Sequence, residues 1–163
     1  MKLIYMHHAE RDMSSGAEWG TVERTFDDIT DAGKKRAEFL AEKLKNEKIT
    51  AIITSPYLRC KHTAEIMNKY HNLNIIEDDR FNEIQKSEEW ENLLKRNIEA
   101  INDIVNKYPD DSVIICVTSG VNISAFICYT YNIIPSNDVP WSQAADLSPV
   151  IFNIKNKGDS FHK

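Results

Sequence analysis

Short β-branched apolar runs alternate along this chain with longer stretches whose apolar residues recur at helical spacing. Leu3 to Met6 is compact and bounded by polar residues, as a buried strand is, and Ile49 to Thr54 repeats the pattern. Val113 to Val117 is the most strand-like segment, with Asn74 to Glu77 a brief strand and Ser148 to Ile154 a final one. Between them, a polar cap at Thr30 opens a helix from Asp31 to about Lys48, with Ala37, Phe39, Leu40 and Leu44 on one face. The Ser55-Pro56 step ends the second strand before a helix over Arg59 to Tyr70. Glu88 to Tyr108 reads as a long amphipathic helix through Trp90, Leu94, Ile98, Ile101 and Val105. Gly120 to Tyr131 reads as another, burying Ala125, Phe126 and Cys128. Residues 9–28 and 132–147 have no clean period and read as loops, and Trp141 in the second marks either a partner surface or a core edge.

Strands alternating with helices predict a largely parallel sheet covered on both faces, in which ligands bind beyond the carboxyl ends of the strands. That rule singles out the turn after the first strand (His7, His8, Ala9, Glu10), the turn after the second (Ser55 to Arg59) and the turn after the late strand (Thr118, Ser119, Gly120).

Length and composition narrow the classes. A chain of 163 residues fits one domain over its whole length, and 42% apolar with 28% charged residues excludes a disordered or collagen-like chain. A formal net charge of −5 argues against a nucleic-acid binder, which needs an excess of Lys and Arg. Cys60, Cys116 and Cys128 are odd in number and lack CxxC spacing, which predicts a reducing, cytoplasmic setting. The first residues, MKLIYMHHAE, are too short an apolar run for a signal peptide or membrane span, so no targeting segment and no membrane association are expected. The five histidines show no HxxxH or HExxH spacing, so neither a metal nor another cofactor is predicted.

The chemistry-bearing turns resemble a known family in order. HHAE is similar to the RHGE signature of the histidine phosphatases, the phosphoglycerate mutase-like superfamily. ITDAGKKRAEFLAEKL resembles its LTxxGxxQAxxLxxxL, and ITSPYLRCKHTAEI its SSPLxRAxQTAxx. FNEI is similar to a short hydrophobic-x-Glu element, and VIICVTSG to the strand that normally ends in Ser-His-Gly or Thr-His-Gly. The resemblance covers roughly residues 1–125 and implies a three-layer α/β/α sandwich with a mostly parallel central sheet.

It also implies roles. His8 would be the nucleophile, a type of residue that is largely unprotonated and nucleophilic near neutral pH. Arg59 would clamp the phosphoryl oxygens with its planar fork, and Glu83 would protonate the leaving alkoxide and then deprotonate water. The implied substrate is a phosphorylated small molecule or phosphoprotein.

Two pocket positions depart from the pattern. His7 stands where the family carries Arg, and Ser119 where it carries a second His. Each charge-assisted contact to a transferring phosphoryl group supplies about 3 kcal/mol, so losing both would cost roughly 10,000-fold in rate. Arg11 and Arg24, in the loop after His8, are candidate replacements, and His62 stands where the family tends to carry Gln. Two functions follow: a phosphatase working through phosphorylated His8 with a modified pocket, or a pseudophosphatase that keeps the pocket as a binding or regulatory module. The oligomeric state is open.

Overall fold

A computed structural model describes residues 1–133, 147 and 149–154. Trp141 and most of the second loop lie outside these residues.

The strands are β1 (Lys2–His7), β2 (Ile49–Thr54), β3 (Ile75–Glu77), β4 (Val113–Thr118) and β5 (Pro149–Asn153), in the order β3-β2-β4-β1-β5. Every pairing among the first four is parallel, and β5 joins β1 antiparallel at the edge. The helices are α1 (Asp31–Leu44), α2 (Leu58–Met67), α3 (Trp90–Lys107) and α4 (Gly120–Thr130).

The three inner strands β1, β2 and β4 bury both faces, which is why they read as nearly continuous apolar runs. Ile4, Met6, Ile52, Ile115 and Val117 pack with Ala37 and Ala41 of α1 and Cys60, Ala64 and Met67 of α2. Leu3, Tyr5, Ala51, Ile53, Ile114 and Cys116 pack with Ala100, Ile101 and Ile104 of α3 and Ile123 and Phe126 of α4. The result is a three-layer α/β/α sandwich.

Two helices stop earlier than their patterns predict. α1 ends at Leu44, not Lys48, because the chain must turn to deliver Ile49 to the sheet: Lys45 and Glu47 donate to the carbonyls of Glu42 and Leu44, three residues back. α2 tightens into a 3₁₀ turn at Asn68–Tyr70, after which Asn72 takes φ 52° and the Asn68 side chain bonds both backbone groups of Leu73. The buried seam of α3 is also rotated from its predicted face. It runs through Leu93, Asn97, Ala100, Ile101, Ile104 and Val105, while Leu94 and Ile98 are only half-buried.

The N-terminus of α1 explains why Thr30 and Gly33 sit three apart. Thr30 Oγ1 accepts the Gly33 N–H at 2.9 Å as the helix cap, and Thr30 N–H donates to Glu10 C=O at 2.9 Å. A Cβ on Gly33 would come within 3.0 Å of that carbonyl oxygen and 3.1 Å of Glu10 N. The helix is thereby held against the turn that carries His8.

Thr30→Ala is expected to cost about 1 kcal/mol in urea unfolding through loss of the cap. Gly33→Ala, which removes a helix penalty of about 1 kcal/mol, is expected to give no net gain because the new methyl meets the Glu10 backbone. A full gain would show that this backbone can yield.

Candidate active site

The parallel ladder continues past the strands at their carboxyl ends and places the three turns side by side. His8 N–H donates to Thr118 C=O at 2.9 Å, Ser55 N–H to Val117 C=O at 3.0 Å, and Asp78 N–H to Thr54 C=O at 2.9 Å. His8, Arg59 and Glu83, from three separate segments, meet there.

His8 is buried, and its ring is oriented by its neighbours. Nδ1 lies 2.7 Å from Ala9 C=O, which can only accept, so Nδ1 carries the hydrogen. Nε2 lies 3.1 Å from Arg59 Nε–H, which can only donate, so Nε2 carries the lone pair. This is one neutral tautomer with a defined nucleophilic nitrogen. Burial, then the adjacent His7, then the Arg59 charge hold the His8 pKa well below its ordinary value, outweighing the bond to Ala9.

Arg59 is fully buried at the start of α2. Besides His8, its NH1 donates to Arg24 C=O at 2.8 Å and its NH2 to Glu83 Oε2 at 2.7 Å, while the Tyr57 ring lies under its guanidinium carbon at 4.9 Å. Thr63, one turn on, accepts Ala9 N–H at 3.0 Å and donates to Arg59 C=O at 2.7 Å, tying the His8 turn to the clamp helix.

Glu83 is shared. Its two oxygens also accept Nε and NH2 of Arg24, each at 3.3 Å. The predicted loop therefore carries structure. Arg24 lies in a 3₁₀ helix, Glu23–Phe26, and the loop base closes through a bridge between Arg11 and Ile29. At Gly20, with φ +77°, a Cβ would come within 2.8 Å of Lys86, so the loop lies directly on the segment after Glu83.

The other predicted site residues are placed as follows. His7 ends β1 opposite Thr118, its ring 4.2 Å from that of His8. Ser119 is buried at the α4 N-terminus and its hydroxyl donates to Asn122 Oδ1 at 2.6 Å. Arg11 pairs with buried Asp27 at 2.6 Å. His62 bonds Asp28 through Nδ1, at the foot of the loop. Among the described residues no group of three or more His, Cys, Asp or Glu side chains is placed to hold a metal ion, and no helix is long and apolar enough to cross a membrane.

One feature gave no signal in the apolar pattern. Asn122 Nδ2 donates to Asn82 C=O at 3.0 Å and to Asn97 Oδ1 at 3.2 Å, and Tyr5 OH also donates to Asn97 Oδ1. Ser55 Oγ donates to Asn82 Oδ1 at 2.7 Å. This buried network holds the residue before Glu83 against β2, α3 and α4.

The fold and these residues define a doubly wound α/β protein with a histidine, arginine and glutamate cluster at its strand ends. A profile described as the histidine phosphatase superfamily (branch 1) matches residues 6–93. The chain belongs to that superfamily. It is 33% identical over 115 residues to Phosphoserine phosphatase 1 of Hydrogenobacter thermophilus, covering 68% of this chain and 48% of the relative. It is 31% identical over 96 residues to Probable phosphoglycerate mutase GpmB of Photorhabdus laumondii, covering 56% of this chain and 43% of that one. The chain thus spans about half the length of the curated relatives it matches. Among solved structures, Bacillus stearothermophilus YhfR superposes with a TM-score of 0.77 at 19% identity, over 92% of this chain and 89% of that one, a likeness of fold. Phosphatase or mutase chemistry is the family's activity.

The lowered His8 pKa links stability to pH. As pH falls below the ordinary histidine value of 6.5, the unfolded chain takes up a proton that folded His8 refuses, so stability falls by up to about 1.4 kcal/mol per pH unit until the folded pKa is reached. His8→Gln is expected to flatten that acid-side slope in urea unfolding series, and an unchanged slope would show that His8 takes up its proton in the folded protein.

Proposed function

We propose that this chain hydrolyses a phosphomonoester or phosphohistidine through a phosphoryl group carried on His8 Nε2. The observation that carries the reading is the imidazole's own hydrogen bonding: Nδ1–H is committed to Ala9 C=O, leaving the Nε2 lone pair at the guanidinium that would hold the phosphoryl oxygens. As the phosphoryl group binds, Arg59 Nε–H turns from Nε2 to a phosphoryl oxygen and frees the lone pair. Nε2 then attacks phosphorus, the N–P bond forms as the P–O bond to the leaving group breaks, and a proton on the Glu83 carboxyl passes to the leaving oxygen. Water then attacks the phosphoryl group, Glu83 takes its proton, and the N–P bond breaks to release phosphate and neutral His8. Both Glu83 oxygens accept from guanidinium groups in the free protein, so the carboxyl gives up part of that pairing when it takes a proton. A phosphoryl dianion drawing on the same guanidinium groups makes that exchange possible.

The reading takes residues 1–163 as one domain acting on a phosphorylated small molecule or phosphoprotein. Phosphoserine is a first test substrate, given the relative named above. Cys60, Cys116 and Cys128 are buried free thiols, with burial pushing Cys60 up to about 12, which fits a reducing cytoplasmic setting. A second reading, a phosphate-binding module without turnover, is favoured by one observation: the Ser119 hydroxyl hydrogen is spent on Asn122.

Phosphate release from an aryl phosphate and from phosphoserine separates the two. Activity is expected to vanish in His8→Ala and to fall about 100- to 10,000-fold in Glu83→Gln. Because the His8 pKa is lowered, kcat/KM is expected to show no fall near pH 6.5 from protonation of the nucleophile. Activity that survives His8→Ala would refute the mechanism, and phosphate binding without any turnover would establish the second reading.

A further inference from the structure

We propose that Arg24 is the second guanidinium of the phosphoryl pocket, supplying from the loop the permanent charge that position 7 lacks. The inference rests on the phosphatase reading of the same site and adds a ligand-binding residue to it.

The argument begins with charge. A phosphoryl group brings two negative charges to a pocket whose nucleophile is neutral. Arg59 supplies one permanent positive charge there, but Glu83 accepts from it at 2.7 Å and cancels it. His7 has no permanent charge, and Ser119 is neutral, with its hydroxyl hydrogen directed to Asn122. Arg11 is matched by Asp27, whose side chain is buried. Arg24 is the cation that tips the balance: with it, the cluster of Arg59, Arg24 and Glu83 carries one positive charge in excess beside His8.

Geometry points the same way. The Arg24 fork meets both oxygens of Glu83, the geometry in which a guanidinium binds any planar pair of anionic oxygens. At 3.3 Å its bonds are longer than the 2.7 Å bond from Arg59 to the same carboxylate, so Arg24 is the looser partner. Its own carbonyl is pinned by Arg59 NH1 at 2.8 Å, which fixes the backbone beside the clamp. Its side chain is 19% exposed, whereas that of Arg59 is at 0%, so Arg24 is the one of the pair that an arriving anion can reach from solvent. Two guanidinium groups already share one oxyanion here, and a phosphoryl group beside His8 Nε2 would draw on the same two forks while Glu83 keeps part of its pairing.

Equilibrium binding of orthovanadate and of inorganic phosphate, followed by calorimetry, tests this without requiring turnover. Arg24→Gln is expected to bind both about 10- to 100-fold more weakly than the natural protein. The same loss is expected when Arg24→Gln is added to Glu83→Gln. If Arg24 served only to hold Glu83, that second loss would disappear, and the inference would be overturned while the phosphatase reading stood. If the natural protein bound neither anion, the phosphatase reading would fall and the inference with it. Circular dichroism establishes that each variant folds. Should Arg24→Gln not fold, Arg24→Lys carries the test: it keeps the charge but loses the fork, so binding several-fold weaker is expected and full affinity would overturn the assignment.

Discussion

A guanidinium ion taken out of water has to recover its lost solvation from acceptors and a compensating charge, or it costs the fold several kcal/mol. Arg59 is fully buried, and three segments near the carboxyl edge of the sheet contribute to satisfying it. The turn after β1 offers His8 Nε2, the loop offers the carbonyl of Arg24, and the turn after the short helix Asp79–Phe81 offers Glu83. In the proposed mechanism the same contacts set up the chemistry, because the nitrogen that accepts from Arg59 in the free protein is the one that would attack phosphorus. On that reading, stability and function depend on one ion.

Around that ion, residues that look like family signatures act as mechanical joints. Thr30 and Gly33 bring α1 against the backbone of Glu10, and Thr63 links Ala9 to the first turn of α2. Both contacts act on the backbone of the turn that carries His8. The departures from the pattern fall instead on residues that would face a phosphoryl group. Ser119, in place of a histidine, turns its hydroxyl into the buried network of Asn122, Asn97, Asn82 and Tyr5. On the proposed reading, a cationic donor would here be replaced by a tie into the network that holds Asn82, the residue before Glu83, while the loop guanidinium of Arg24 bonds the Glu83 carboxylate itself.

The centre of the sheet was legible because β1, β2 and β4 are buried on both faces and carry a nearly unbroken apolar signature; Ile49–Thr54 has the predicted bounds. The order of the chemical turns was legible for the same reason, since strand ends define where they gather. Helix ends were less so, because α1 stops where the chain must turn into β2 and not where its apolar spacing fades. The face of α3 was misread for a different reason: Asn97 counts as polar in any periodicity, yet it is fully buried because Tyr5 and Asn122 satisfy it. The loop was the least legible. Its 3₁₀ helix and the position of Arg24 depend on contacts with Arg59, Glu83 and Lys86, residues far along the chain, and no local pattern reports them.

The central claim is that His8 Nε2 carries the phosphoryl group, and the most direct test is to trap it there. Brief acid-free quenching of Glu83→Gln with a phosphomonoester, followed by phosphorus NMR and peptide mass spectrometry, would read both the linkage and its position. The account predicts a single acid-labile N–P linkage on the peptide containing His8, absent when His8→Ala is added. A phosphoryl group on any other residue, or phosphate release that persists when His8→Ala is added, would contradict it.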